Sequence, residues 1–422
     1  MWLERRSRTM ALGALALLGA SAAGAQLLPQ GSLGGVLGKV GRISDRTLGA
    51  TGRALNAAAT SNIRALADAR QARLRDLVRA NRDILEMTDA GPAVRGEIVA
   101  IDPDPPTVTA AGAAGFVIVA DERIEGLDIR AVTLRPPRGL SLDNALARLR
   151  RIAPAGTFTS NHLHLQSGAL PLDGPGGAAL AQGGSGPAMI GIIDGGVAAH
   201  PSLSGVEQRG FVTGSPAPSA HGTAIASLAA GRGSVRGAAP GARLLVADVY
   251  GRDPKGGNAV AIARALGLMA ERRVKVVTMS LVGPPNPLVA KAIGQAIARG
   301  VHIVAAVGND GPAAPPAFPA SYDGVIAVTA VDGRDRPLIE AGRSLHLDFA
   351  APGADMAAAA PGGGLHAVRG TSYAVPLVAG RIARASLAAV EGEAKDLGPK
   401  GPDKLYGRGL VCGNCRTPVP EK

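Results

Sequence analysis

Between Met189 and Val328, short apolar runs with the character of strands alternate with Ala-rich runs long enough to be helices, and this alternation limits the fold more than any other feature of the chain. The strand-like runs are Met189 to Ile193, Leu244 to Val249, Val274 to Met279, Val301 to Ala306 and Val325 to Val328; Ala259 to Glu271 and Leu288 to Arg299 are the clearest helical runs between them. Runs that are apolar at every position, rather than at every second one, belong to strands covered on both faces. The pattern therefore predicts an α/β fold with a doubly wound parallel sheet, whose functional residues sit at the carboxyl edge of the strands. With 46% hydrophobic residues but only 2% aromatic ones, the core has to be assembled from Ala, Val, Leu and Ile.

Four stretches put reactive side chains where such a sheet would use them. The run Met189 to Ile193 ends in Asp194, followed by Gly195 and Gly196. His221 opens a run of small residues, His221 to Leu228. The strand Val301 to Val307 leads into Gly308-Asn309-Asp310-Gly311, and Gly370-Thr371-Ser372 precedes the apolar run Ala374 to Gly380. In the last of these Gly370 permits a tight turn, Thr371 or Ser372 can cap the helix, and the helix N-terminus offers unpaired N–H groups to a developing oxyanion. Taken singly, the serine reads as a cap and Asn309 as a turn residue.

Asp, His, Asn and Ser in this chain order resemble the subtilisin-like serine peptidases (subtilase family, peptidase S8), and the resemblance extends from about Ala188 to Val411. It implies a serine endopeptidase acting on polypeptides. Ser372 would be the nucleophile, His221 the general base, Asp194 the group that orients it, and Asn309 with the Ser372 N–H the oxyanion donors. It further implies that Ser280, Leu281, Val282 and Gly283 pair with substrate backbone as an added strand, that Ala306, Val307 and Gly308 form the opposite wall, and that Ala317-Phe318-Pro319 floors a pocket for an uncharged residue. His200, in His200-Pro201-Ser202-Leu203, would be structural. Three neighbours depart from the family pattern: Gly195 where a Ser or Thr hydroxyl usually helps hold the aspartate, Ala224 where His is common, and Tyr373 where Met is common. These departures motivate a competing reading, a catalytically weak or inactive subtilase-fold protein that holds peptides in the same cleft. No cofactor is expected and no metal site. The short segment between Leu228 and Ala238 lacks the insertion that binds calcium in many relatives.

Ahead of this region, residues 1–25 have the three parts of a secretory signal, with Arg5, Arg6 and Arg8 before the apolar run Met10 to Ala20 and small residues before Gln26. The expected location is secreted or periplasmic, with no membrane span once the signal is removed. Residues 26–93 are Gly- and Ala-rich and then helical, with Ser61 as a cap and a basic face that packs on the rest of the protein or a partner. Residues 94–167 read as strand, strand, strand, helix, strand, a small ferredoxin-like α+β unit similar to the propeptide domains of the family. Such a unit would serve as intramolecular chaperone or inhibitor, the alternative being a permanent accessory domain. Residues 168–186, rich in Gly, Pro, Ala and Ser, form a flexible linker open to self-cleavage. The peptidase domain spans 187–416, and 417–422 are a tail. The net charge of +12 asks for an acidic partner, but the scattered arginines have no aromatic platforms between them, which indicates a solvated basic surface and no nucleic acid. In an exported chain Cys412 and Cys415, the only two cysteines, read as a short-loop disulfide, because two thiols leave zinc half-coordinated.

Overall fold

In chain order the helices are α1 (Leu48–Ala80), α2 (Pro105–Ala113), α3 (Leu142–Ile152), α4 (Ala220–Ala230), α5 (Ala259–Glu271), α6 (Pro287–Ala298), α7 (Val375–Arg384) and α8 (Leu387–Glu393). The strands are β1 (Leu85–Met87), β2 (Pro92–Ile101), β3 (Val117–Ile124), β4 (Ile129–Arg135), β5 (Thr157–His162), β6 (Leu165–Gln166), β7 (Met189–Asp194), β8 (Val206–Gly210), β9 (Arg243–Asp248), β10 (Val276–Met279), β11 (Leu281–Val282), β12 (His302–Ala306), β13 (Ile326–Val331), β14 (Phe349–Pro352), β15 (Met356–Ala359) and β16 (Leu365–Val368). This computed structural model describes residues 48–167 and 188–420, with side chains from residue 64 onward. The chain divides into residues 1–60 and 61–422; of the first unit only helical backbone from Leu48 is described, and every element from β1 onward belongs to the second. The signal reading of residues 1–25 and the linker reading of 168–186 lie outside the described residues.

The central sheet has seven strands in the order β14-β13-β12-β10-β7-β9-β8, all pairs parallel. The chain lays β8 and β9 on one side of β7 and β10, β12, β13 and β14 on the other. Asp194, the last residue of β7, therefore sits at the point where the winding reverses, the usual place for a site in such a sheet. Alternate residues of each strand face opposite ways: Ile190 and Ile192 join the core formed with α4 and α7, while Ile193, Val277 and Ala305 join the core formed with α5 and α6. The fold is thus a three-layer α/β sandwich in which small residues let the helices approach closely.

Residues 85–162 form a separate five-stranded antiparallel sheet, β1-β2-β4-β3 with β5 paired to β2. One face is covered by α2 and α3, with Phe116, Leu134, Leu142, Leu149 and Phe158 buried there. The other face presents Val99, Ile101, Ile124, Ile129 and Ala131 to the α5 and α6 core. Gly267 of α5 makes that contact possible, because a Cβ at this position would fall 2.1 Å from the Glu125 carbonyl oxygen. Bidentate pairing of Arg264 with Glu122 and the Lys291–Asp102 ion pair rim the contact.

Three local expectations need correction. The α+β unit begins at β1 and not at residue 94, because Leu85–Met87, expected to continue the helix, pairs with β2 as an edge strand. Ser61 lies inside α1 and does not cap it. Helix α2 is an element beyond the expected order, although its start carries a sufficient signal: Asp104 accepts from the Thr107 N–H at 2.9 Å and Pro105 occupies the first turn. Thr107, Val108 and Thr109, all β-branched, mask that signal in a propensity reading.

Candidate active site

Helix α4 brings His221 to the end of β7. Ser219 caps it, its Oγ accepting from the Gly222 N–H at 2.9 Å, and Gly222 has no side chain to strike the Gly195 carbonyl. His221 Nδ1 then lies 2.9 Å from Asp194 Oδ1, both residues essentially inaccessible. The Gly195 N–H also donates to Oδ1, at 2.7 Å. Among the described residues, Oδ2 of Asp194 and Nε2 of His221 are buried without partners.

Ser372 is held in a 3-10 turn, Thr371–Tyr373, that leads into α7. Neither hydroxyl caps that helix as the sequence suggests, since both are engaged elsewhere. Thr371 Oγ1 donates to the Gly308 carbonyl at 3.1 Å, and Ser372 Oγ is 2.7 Å from the hydroxyl of Ser167. Asn309 is fixed by its own Oδ1, which accepts from the Thr371 N–H at 2.8 Å. Its Nδ2 donates to the Ser167 carbonyl at 2.6 Å. Asp310, next to it, is clasped by Arg70 and Arg73 of α1 at 2.9 and 2.7 Å, so the basic helix docks on this loop.

The cleft is filled by the chain itself. β6 pairs antiparallel with β11, Leu281 opposite Gln166 and Val282 opposite Leu165, and the Ser167 N–H donates to the Ser280 carbonyl at 3.0 Å. On the other side the His164 N–H donates to the Gly257 carbonyl at 2.7 Å and the Tyr250 hydroxyl donates to the His164 carbonyl at 2.9 Å. The His164 ring lies against Gly283, where a Cβ would be 2.4 Å from it. Of the residues expected to bind substrate backbone, Ser280, Leu281, Val282 and Gly283 thus contact residues 164–167. Ala306, Val307 and Gly308 are buried and form no hydrogen bond to them; Gly308 instead lies under Val282. The opposite wall is Tyr250 and Gly257, which the sequence does not single out.

Burial sets the titration of the groups around the cleft. Desolvation holds His162 down at about 4 and His164 down at about 3, the latter with a contribution from the charge of His162. Burial, then the charge of Asp194, pushes the Tyr373 hydroxyl up to about 12; its ring centroid is 5.6 Å from that of His221. Burial and, less strongly, a positive charge on His221 hold His366 below the ordinary histidine range. Asp248, opposite Asp194 on β9, is raised by burial despite accepting from the Ala217, Tyr250 and Gly251 N–H groups. His200 is structural, bonded to Ser202 and to the Gly364 carbonyl. Cys412 and Cys415 are bonded to one another, their Cα atoms 5.3 Å apart.

The subtilase family profile matches residues 186–396, a span that includes Asp194, His221, Asn309 and Ser372. The chain belongs to the subtilase family. It is 32% identical over 243 residues to subtilisin BL of Lederbergia lenta, covering 54% of this chain and 90% of that protein. It is 29% identical over 310 residues to an alkaline protease of Alkalihalobacillus alcalophilus, covering 69% of this chain and 80% of the relative. Among solved structures it is similar in fold to fervidolysin of Fervidobacterium pennivorans, with a TM-score of 0.60 and 20% identity over 80% of this chain and 63% of that one. This subtilase is a serine endopeptidase, and its substrates are polypeptides. Among the described residues no single helix is long and apolar enough to cross a membrane.

Proposed function

We propose that this subtilase is an exported endopeptidase, directed out of the cytoplasm by residues 1–25, that works through Asp194, His221 and Ser372 with Asn309 as oxyanion donor. We propose also that residues 85–167 are its own first substrate and inhibitor, and a folding aid for a sheet rich in long-range parallel pairing. One observation carries the reading: the carbonyl of Ser167 accepts from the Asn309 amide while the strand leading to it is paired with β11. These contacts support Ser167–Gly168 as the bond that the enzyme cuts.

The chemistry follows from those positions. Ser372 Oγ turns from the Ser167 hydroxyl toward Nε2 of His221, which is buried and unpaired among the described residues, and gives up its proton as it attacks the Ser167 carbonyl carbon. Asp194 accepts from Nδ1 and so fixes the tautomer that leaves Nε2 free to act as base. Negative charge collects on the Ser167 oxygen, beside the Asn309 amide. His221 then protonates the amine of Gly168, the C–N bond breaks, and water hydrolyses the ester left on Ser372.

A fluorophosphonate probe tests the enzyme reading against the competing one of a silent peptide-binding protein. Labelling is expected at Ser372, only in chains that have been cut, and to be lost in His221→Ala. Labelling that persists in Ser372→Ala, or no labelling of cut chains from which the amino-terminal fragment has been removed, would contradict it.

A further inference from the structure

Asp194 is completely buried, yet its own surroundings serve it poorly. Oδ1 accepts from His221 Nδ1 and from the Gly195 N–H, while Oδ2 accepts from no group among the described residues. At residue 195, where a hydroxyl is expected to help hold the aspartate, there is a glycine. A third donor to Oδ1 is present at 2.8 Å, the side-chain amide of Gln166. Gln166 does not belong to the catalytic wall; it is the residue before the reacting carbonyl in the strand that fills the cleft. The space it uses is the space Gly195 leaves, since a Cβ on residue 195 would lie 3.3 Å from the Gln166 amide nitrogen and 2.5 Å from Ser219 Oγ.

From these contacts we infer that the enzyme borrows part of its triad from the bound chain: a carboxamide one residue before the cleaved bond's carbonyl residue positions Asp194, and the protein selects polypeptides with glutamine there. Buried carboxylates are held by their donors, and a bond to a charged acceptor is among the stronger hydrogen bonds available. When β6 leaves, Asp194 loses one of three. A substrate with Gln in the same place restores it; the other side chains separate by chemistry. Met has the length but no donor, Asn has the donor but is one methylene short, and Glu brings an acceptor toward Asp194. Gln166 is thus a positioning group acting through Asp194, whereas Ser167 carries the reacting carbonyl.

This inference rests on the reading that Ser167–Gly168 is the bond cut, and the experiment keeps the two apart. Full-length wild type, Gln166→Met, Gln166→Asn and Gln166→Glu are followed by intact mass during self-cleavage. The processed wild-type enzyme is then given fluorogenic peptides ending His-Leu-Gln-Ser or His-Leu-Met-Ser. The expected result is roughly a tenfold or greater fall in the self-cleavage rate for Met, with Glu slowest. For the peptides the loss should appear in kcat, with KM changed by less than about threefold, because orientation of Asp194 matters in the transition state and not for holding the peptide. A loss confined to KM would mean that Gln merely fits its pocket and would overturn the inference, as would equal rates for Gln and Met. Absence of any cut after Ser167 in the wild-type chain would overturn both this inference and the reading beneath it.

Discussion

The sheet of residues 85–162 and the strand β6 that follows it meet the peptidase part in ways that differ in kind. One face of the sheet lies on α5 and α6 through Val99, Ile101, Ile124, Ile129 and Ala131, a contact that is apolar and closely fitted around Gly267. The strand β6 and its neighbours bring to the cleft many hydrogen bonds, two neutral buried histidines and a carbonyl bonded to the Asn309 amide. The broad contact can hold the domain in place whether or not the chain is intact, since none of it depends on the peptide after Ser167. The narrow contact places the chemistry. An enzyme built this way can cut its chain and remain blocked, and its release depends on weakening the first contact or titrating the second.

The narrow contact is most sensitive at the oxyanion. Asn309→Ala removes the donor to the Ser167 carbonyl and the clasp on the Thr371 N–H, and self-cleavage should slow by about a hundred- to a thousandfold, read from intact-mass time courses.

Acid acts next, on the cleft side. His162 and His164 stay neutral in the fold down to about 4 and about 3, whereas a released or unfolded histidine takes its proton near the unperturbed value of 6.5. Their folded values are depressed, so the stability they permit is complete above 6.5 and falls as pH drops toward 4 for His162 and toward 3 for His164. Between pH 6.5 and pH 5 each should cost about 2 kcal/mol. The Tm of a Ser372→Ala chain should therefore fall across that interval, and fall less when both histidines are replaced by glutamine.

On the apolar side, Gly267→Ala drives a methyl into the Glu125 carbonyl. It should destabilise the chain by roughly 1–3 kcal/mol, seen in urea unfolding, and should speed loss of the cut fragment on gel filtration. The same change in the free peptidase part would be nearly silent.

The smallest effect is expected at Ser167. Its hydroxyl holds Ser372 Oγ at 2.7 Å, away from the base, so Ser167→Ala should quicken self-cleavage by about two- to tenfold, the worth of one neutral hydrogen bond.

Much of this site can be read from the chain alone because each residue proposed for catalysis stands at a boundary with its own local signal. Asp194 closes an unbroken apolar strand, His221 opens a helix that Ser219 caps, Asn309 follows a strand into a glycine turn, and Ser372 precedes a buried helix. Gln166 and Ser167 have no such signal; they read as the end of an ordinary strand. Their meaning comes from contacts 28, 142 and 205 residues away along the chain, to Asp194, Asn309 and Ser372. Tyr250 and Gly257 are hidden for the same reason: a glycine after Gly256 reads as a turn until another strand lies against its carbonyl. Helix α2 is the opposite case, a local signal present at Asp104 and Pro105 and outweighed by β-branched neighbours.

The central claim, that the chain lies in its own cleft as a substrate, is tested most directly by the mass of the fragments formed by the purified wild-type chain beside its Ser372→Ala counterpart. One break is expected in the wild-type chain, between Ser167 and Gly168, and none in Ser372→Ala. A first break elsewhere, or the same break in Ser372→Ala, would contradict that claim.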